Sequence, residues 1–493
     1  MWPDRRFLDV VKTEHPIVLA PMAGVMDADL VIAVAEGGGL GSLPCAMLSA
    51  EKAREQVNII RQRLSAPINV NFFCHTPVEA DAAREAGWKQ RLDSYYQEYG
   101  VDPAAPVTAA NRAPFDAAMC AVVEELKPEI VSFHFGLPEP TLLARVKATG
   151  AVVMASATVV REAVWLERNG ADIIIAQGAE AGGHRGMFLT DKLAEQVGTL
   201  ALVPQVVDAV KVPVIAAGGI ADARGIAAAF ALGASGVQIG SAYLRCPESK
   251  VSGPARAALA AASDESTVIT NVMTGRLARG VANRVMREVG PIAPEAPAFP
   301  HAATALGPLK AAAEKQGKVD FTNLWAGQAL PLGREIPAAD LTRTLAEQAP
   351  LHRVEIIHIG LVGRFIVAEQ AHGVGSLHRL EERITRRMRA IQRPLGYSTT
   401  FGTRKKWFSV AGAFLTMSSA ISPSLTTSWR FFIAIGVTEV IGSTPSTLTS
   451  ESCSTKFSIA LSSPCRCGTS ASVTAIRANC AIRRTVAAST DII

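Results

Sequence analysis

The sequence predicts an α/β protein built on a (β/α)₈ TIM barrel, with a lid or substrate-binding subdomain and a C-terminal extension that lacks a clear globular pattern. Three observations carry this expectation. Eight short, largely apolar runs rich in β-branched residues recur between residues 17 and 240, Ala-rich helical stretches separate them, and most runs end on a Gly- or Pro-marked turn. Strands alternating with helices report βαβ units and a parallel sheet covered on both faces. Eight such units suit a closed barrel, and an open doubly wound sheet is the alternative arrangement. A chain of 493 residues leaves room for additions to a barrel of ~250 residues.

The runs are, in order, IVLA (17–20), LGSL (40–43), INVNF (68–72), IVSFHF (130–135), AVVMAS (151–156), DIIIAQ (172–177), PVIAAG (213–218) and GVQIG (236–240). The third and fourth stand farther apart than a crossover helix requires, which predicts an insertion over 76–127. It contains a helical piece at 88–99 and a Pro/Ala stretch at 103–114. After the eighth run, GPARAALAAASD (253–264) reads as a helix and a mixed segment follows. The expected organisation is a barrel over 1–250, a lid and closing helix over 251–347, a basic helical linker over 348–393 and a Ser/Thr-rich tail over 394–493. The two insertions are expected to cover one end of the barrel.

The tail has few acids and sustains neither the helical nor the strand period, so it reads as a disordered extension or the product of a non-native reading frame. Its apolar segments at 407–422 and 431–442 fall short of the ~20 residues that a membrane span needs. Net charge +5 with 19% charged residues is ordinary for a soluble globular protein, and the local basic stretches read as solvated faces, so neither nucleic acid nor membrane is an expected partner. Cys45, Cys74, Cys120 and Cys246 lie singly without metal-ligand spacing and suit a reducing compartment. Cys465 and Cys467, one residue apart with no histidine nearby, do not form a zinc signature. No metal is expected. The N-terminus carries no apolar core of signal-peptide length, so the expected location is cytoplasmic.

The chemistry concentrates at the C-terminal ends of the runs, where barrel enzymes assemble their sites. Gly218 and Gly219 let the backbone approach an anion closely, and the helix expected after them would favour a phosphate at its N-terminus. Gly240 and Ser241, ending the eighth run, complete the cradle. His184 follows the sixth run among Gly182, Gly183 and Gly186; its imidazole, with an ordinary pKa near ~6.5, suits proton abstraction at neutral pH. His134 reads either as a packed core residue or as a substrate contact at the same mouth.

The series APMAG (20–24), AEGGGLGSL (35–43), INVNFF (68–73), SFHFG (132–136), QGAEAGGHRG (177–186) and AAGGIADARG (216–225) resembles the nitronate monooxygenases, formerly called 2-nitropropane dioxygenases. The resemblance spans 7–347, and the segment around His184 is its most diagnostic part. It implies an FMN enzyme that oxidises alkyl nitronates with dioxygen to a carbonyl compound and nitrite without NAD(P)H. It also implies that Ala20, Pro21, Met22, Asn71, Gln177, Gly182, Gly183, Gly218, Gly219, Gln238, Gly240 and Ser241 surround the flavin, and that His184 takes the proton of neutral nitroalkanes. In part of that family, tyrosines and a lysine after the barrel face a substrate carboxylate. Here PAFPHAATALGPLK (297–310) offers Phe299, His301 and Lys310, so Lys310 is the expected substrate contact, with His134. FMN-dependent enoyl-acyl-carrier-protein reductases and NADH:quinone reductases share the barrel and many of these motifs, and they form the alternative reading.

Overall fold

A computed structural model describes residues 2–104 and 112–349, in which every one of the eight apolar runs forms a strand. The barrel strands are β1 (Ile17–Leu19), β2 (Gly41–Pro44), β3 (Ile68–Phe73), β4 (Ile130–His134), β5 (Val152–Ala157), β6 (Ile173–Gln177), β8 (Val214–Ala217) and β9 (Gly236–Ile239). A two-residue strand, β7 (Gly183–His184), lies between β6 and β8 in the chain. The sheet order is β1-β9-β8-β6-β5-β4-β3-β2, with all pairings parallel. Val18 bridges Leu40 in parallel, with the Leu19 N–H donating to the Leu40 carbonyl at 2.9 Å and the Leu40 N–H to the Ile17 carbonyl at 2.8 Å. These contacts join the two ends of the sheet into a barrel and exclude the doubly wound alternative. The expected tail over 394–493, and the linker from residue 350 onward, lie outside the described residues.

The strands are apolar on both faces because both faces are covered. Val18, Leu40, Ile130, Met154, Ile173 and Ile215 form one cluster with Phe7 and Val11 of the helix Arg6–Val11. The larger cluster lies between sheet and outer helices and includes Leu30, Val57, Val123, Val146, Leu166, Val206 and Phe230. The helix over 338–349 adds Leu341 and Leu345 to that layer. No described helix is long and apolar enough to cross a membrane.

The long β3–β4 connection contains the helices Ala82–Arg91 and Asp93–Glu98 before the helix Ala117–Leu126, which packs against Ala50–Arg63 and Pro140–Ala148 on the barrel exterior. The first two helices share a separate apolar cluster with the segment after the barrel: Trp88, Tyr95, Tyr96 and Tyr99 meet Val285, Met286, Leu306, Leu309 and Phe321. Each aromatic also satisfies its polar end, as a buried amphipathic ring must. Trp88 Nε1–H donates to the Ala302 carbonyl at 3.2 Å, Tyr95 to Glu288 at 2.8 Å and Tyr99 to Asp320 at 2.7 Å. Two segments far apart in sequence thus make one subdomain. A small antiparallel sheet ties it to the barrel: β10 (Thr267–Thr270) pairs with β11 (Ala278–Val281), which pairs with β7.

Candidate active site

A cavity of about 470 Å³ opens at the C-terminal ends of the barrel strands. Ala20, Pro21 and Met22 line it after β1, Asn71 from β3, His134 from β4 and Gln177 from β6. Gly182, Gly183 and His184 line it along the β6–β8 connection, Gly218 and Gly219 after β8, and Gln238, Gly240 and Ser241 at and beyond the end of β9. Lys310 reaches the same cavity from the helix Ala302–Lys315. The fold therefore gathers every residue given a flavin, substrate or base role in the sequence reading around one space.

His184 differs from the sequence expectation of a loop histidine with an ordinary pKa. It is part of β7, registered against Ala278. Its ring sits among Phe73, Phe135, Phe299 and Trp325, with centroids 6.1, 6.0, 5.4 and 5.6 Å away. It faces a cavity rather than bulk water. Burial, and then the positive charges of Arg112 and other neighbours, hold its pKa well below the ordinary 6.5. The imidazole is consequently neutral at pH 7. Its Nε2 lies 3.0 Å from Thr274 Oγ1, whose hydroxyl donates to the Arg276 carbonyl at 3.3 Å. With that hydrogen given to the carbonyl, Nε2 would carry the ring proton and donate to Thr274. Nδ1 makes no hydrogen bond to a described residue.

The His184 backbone is fixed as firmly as its ring. Its carbonyl accepts from Gln177 Nε2 at 3.0 Å and from His134 Nε2 at 3.1 Å. A carbonyl only accepts, so His134 is protonated on Nε2, and its Nδ1 accepts from the Ser156 hydroxyl at 2.6 Å. Burial pushes the His134 pKa down to about 3. His134 is thus a neutral strut that also borders the cavity. Gln177 Oε1 accepts from the Gly186 N–H at 2.8 Å, which leaves one amide hydrogen and one lone pair uncommitted.

The opposite side of the cavity suits an anion. Gly218 and Gly219 adopt φ of 112° and 70°, a region L side chains avoid, so the backbone can turn its amides toward a ligand. The N–H groups of Gly219, Gly240 and Ser241 donate to no described residue. Ser241 Oγ accepts from the Gly327 N–H at 2.8 Å and retains its own hydrogen for a ligand. Gln238 Oε1 is buried without a partner among the described residues, an arrangement that a bound group would relieve. The expected helix N-terminus is not part of this cradle. Asp222 caps the helix Ala223–Ala231, accepting from the Arg224 and Gly225 N–H groups at 3.0 and 3.3 Å. Its own carboxylate takes up first-turn amides that an anion at this N-terminus would use.

Residues 5–348 match the family model described as nitronate monooxygenase. The chain belongs to the nitronate monooxygenase family. It is 42% identical over 346 residues to the nitronate monooxygenase of Paraburkholderia phytofirmans, covering 70% of this chain and 94% of the relative. It is also 42% identical over 347 residues to that of Pseudomonas aeruginosa, covering 70% and 98%. The solved nitroalkane oxidase of Streptomyces ansochromogenes is 35% identical, with a TM-score of 0.65 and coverage of 71% of this chain and 99% of that one. As a member of the nitronate monooxygenase family the chain is an oxidoreductase, and its relatives support oxidation of nitronates.

Within this family member, several site residues escaped the sequence reading. Thr274, the partner of His184, lies ninety positions away in a segment without strand or helix periodicity. Ser156, the partner of His134, looks like an ordinary small residue of an apolar strand. Arg112 borders the cavity from the insertion, and only its presence as a lone cation in a Pro/Ala stretch marked it. Trp325 stands in LWAGQAL (324–330), where no strand or helix periodicity marks its indole.

Proposed function

We propose that this protein oxidises alkyl nitronates with dioxygen to a carbonyl compound and nitrite, using FMN, and that His184 is the base that converts neutral nitroalkanes to nitronates. The observation that carries this reading is an imidazole at the cavity whose Nε2 lies 3.0 Å from Thr274 Oγ1 while Nδ1 has no described partner; with the ring proton on Nε2, the Nδ1 lone pair is the base. Such a group accepts a carbon-bound proton without first losing one of its own. Gly218, Gly219, Gly240 and Ser241 would hold the phosphate of the flavin. Asn71, Gln177 and Gln238 would offer polar contacts to its ring system, with Ala20, Pro21, Met22, Gly182 and Gly183 around it. When bound, FMN supplies the electron transfer between nitronate and dioxygen. The chain's own residues orient the substrate, keep water out with the aromatic wall, and receive the proton at His184. Lys310 and His134 border the substrate space.

We also place this reaction in the cytoplasm and restrict the partners to small molecules. Cys45, Cys74, Cys120 and Cys246 are free thiols, which agrees with a reducing compartment. Two measurements test the function. The purified protein is expected to show oxidised-flavin absorption bands and to release FMN on denaturation. Nitrite release from propionate 3-nitronate is expected without NADH. Colourless, folded protein that takes up no FMN would refute the cofactor assignment, and NADH oxidation with quinone or enoyl thioester in place of nitrite release would transfer the site to reductase chemistry.

A further inference from the structure

Three cations line the cavity: Arg112, Lys250 and Lys310. Lys250 is paired with Asp27 and Asp29 at 3.4 and 2.6 Å, and Lys310 lies 3.9 Å from Glu314. Arg112 has no carboxylate partner among the described residues, and its buried Nε and Nη1 make no hydrogen bond to them. Its guanidinium stands 5.6 Å from the centroid of the Phe299 ring, and that ring in turn touches His184. An aromatic face offsets part of the cost of burying a guanidinium but supplies neither a counter-charge nor an oxygen acceptor. The acids of the cavity do not supply them either. Glu180 is committed to the Thr199 amide and hydroxyl, and Glu314 to Thr322 at 2.8 Å.

A nitronate is a planar anion with its charge shared between two oxygens, which is the geometry that a guanidinium fork recognises. We infer that Arg112 is the anion-selecting residue of the cavity, binding the oxygen pair of the nitronate and so favouring the ionised substrate over the neutral nitroalkane. This rests on the reading that nitronates are substrates, and it assigns their recognition to a residue of the β3–β4 insertion rather than to the segment after the barrel.

Binding of unreactive isosteres to the flavin-loaded protein tests the inference separately from turnover. Isobutyrate has the shape and charge of the nitronate of 2-nitropropane, and isobutyramide has nearly the shape without the charge. Calorimetry on the wild type is expected to show tighter binding of isobutyrate. Arg112→Met should weaken isobutyrate roughly 10- to 100-fold, the range for losing a charge-assisted hydrogen bond, while isobutyramide changes by no more than about 2-fold. Arg112→Lys, which keeps the charge, should retain part of the preference, and melting temperatures establish that both variants are folded. No preference in the wild type, an equal loss for both ligands in Arg112→Met, or the same loss in the lysine and methionine variants would overturn the assignment. Failure to release nitrite from any nitronate would instead remove the proposed reaction and leave these binding ratios to report on Arg112 alone.

Discussion

Replacing His184 by Asn separates proton abstraction from every other contribution of the cavity. A neutral nitroalkane must lose a carbon-bound proton before oxidation, whereas its nitronate has already lost it. Asparagine retains an N–H to donate to Thr274 Oγ1, which lies 3.0 Å from the native Nε2, but it has no imidazole lone pair. The variant should therefore keep the cavity wall and lose the base. General-base catalysis contributes roughly 10²- to 10⁴-fold, so kcat/KM for neutral nitroethane should fall by that factor. The value for ethyl nitronate should fall less than about tenfold, because only packing against the aromatic wall changes. The pH profile adds an independent check. The imidazole is active as the free base and its pKa lies well below 6.5, so activity on the neutral substrate should rise with pH along a limb lying below 6.5. That limb should vanish in the variant. Initial-rate nitrite release and oxygen uptake from pH 5 to 8, on both substrates, measure all of this. Equal losses on nitroalkane and nitronate, or an unchanged acid limb, would refute the base assignment and leave His184 a positioning role.

Thr274→Val removes the acceptor that holds the His184 proton on Nε2. Activity on neutral nitroalkane should drop about tenfold, as expected for one hydrogen bond, with little change on nitronate; a variant with unchanged kcat/KM for nitroalkane would refute tautomer control by Thr274. Gly219→Asp places an L side chain at φ 70°, with its Cβ 3.5 Å from Glu180 Cβ, and adds negative charge beside the anion cradle. Flavin occupancy by absorbance ratio should fall sharply, and full occupancy in the folded variant would show that the phosphate lies elsewhere. Below pH 6.5 the stability should decline. Burial holds His75 at about 4, His134 at about 3 and His184 well below 6.5, so the unfolded chain takes up protons that the folded chain refuses. The stability that these groups confer is present above the unfolded pKa and is lost as pH falls from about 6.5 toward the folded values, at up to ~1.4 kcal/mol per pH unit for each histidine. Urea midpoints that stay flat between pH 6.5 and 5 would contradict the three depressed values.

The barrel, and the mouth at which the site forms, follow from local features of the sequence. Each βαβ unit is local: the run IIIA of β6 must be buried on both faces, and the glycines that follow it admit a turn whatever the rest of the chain does. The same locality made His184, Gly218, Gly219, Gly240 and Ser241 legible, because each sits a residue or a few beyond a strand that the hydrophobic pattern marks. Burial and pairing are not local, and they emerge only when distant segments pack together. His184 reads as a loop residue of ordinary pKa at the barrel mouth until β11 pairs with β7 and Thr274, Phe299 and Trp325 come around its ring. The helix after Gly219 reads as a phosphate site until Asp222 folds back onto its amides. Trp88 and the tyrosines after it read as part of a surface insertion until they find their partners about two hundred residues downstream. A proton's position, a pKa and a counter-charge depend on atoms within a few ångströms, and in this chain those atoms come from segments that no periodicity in the sequence connects.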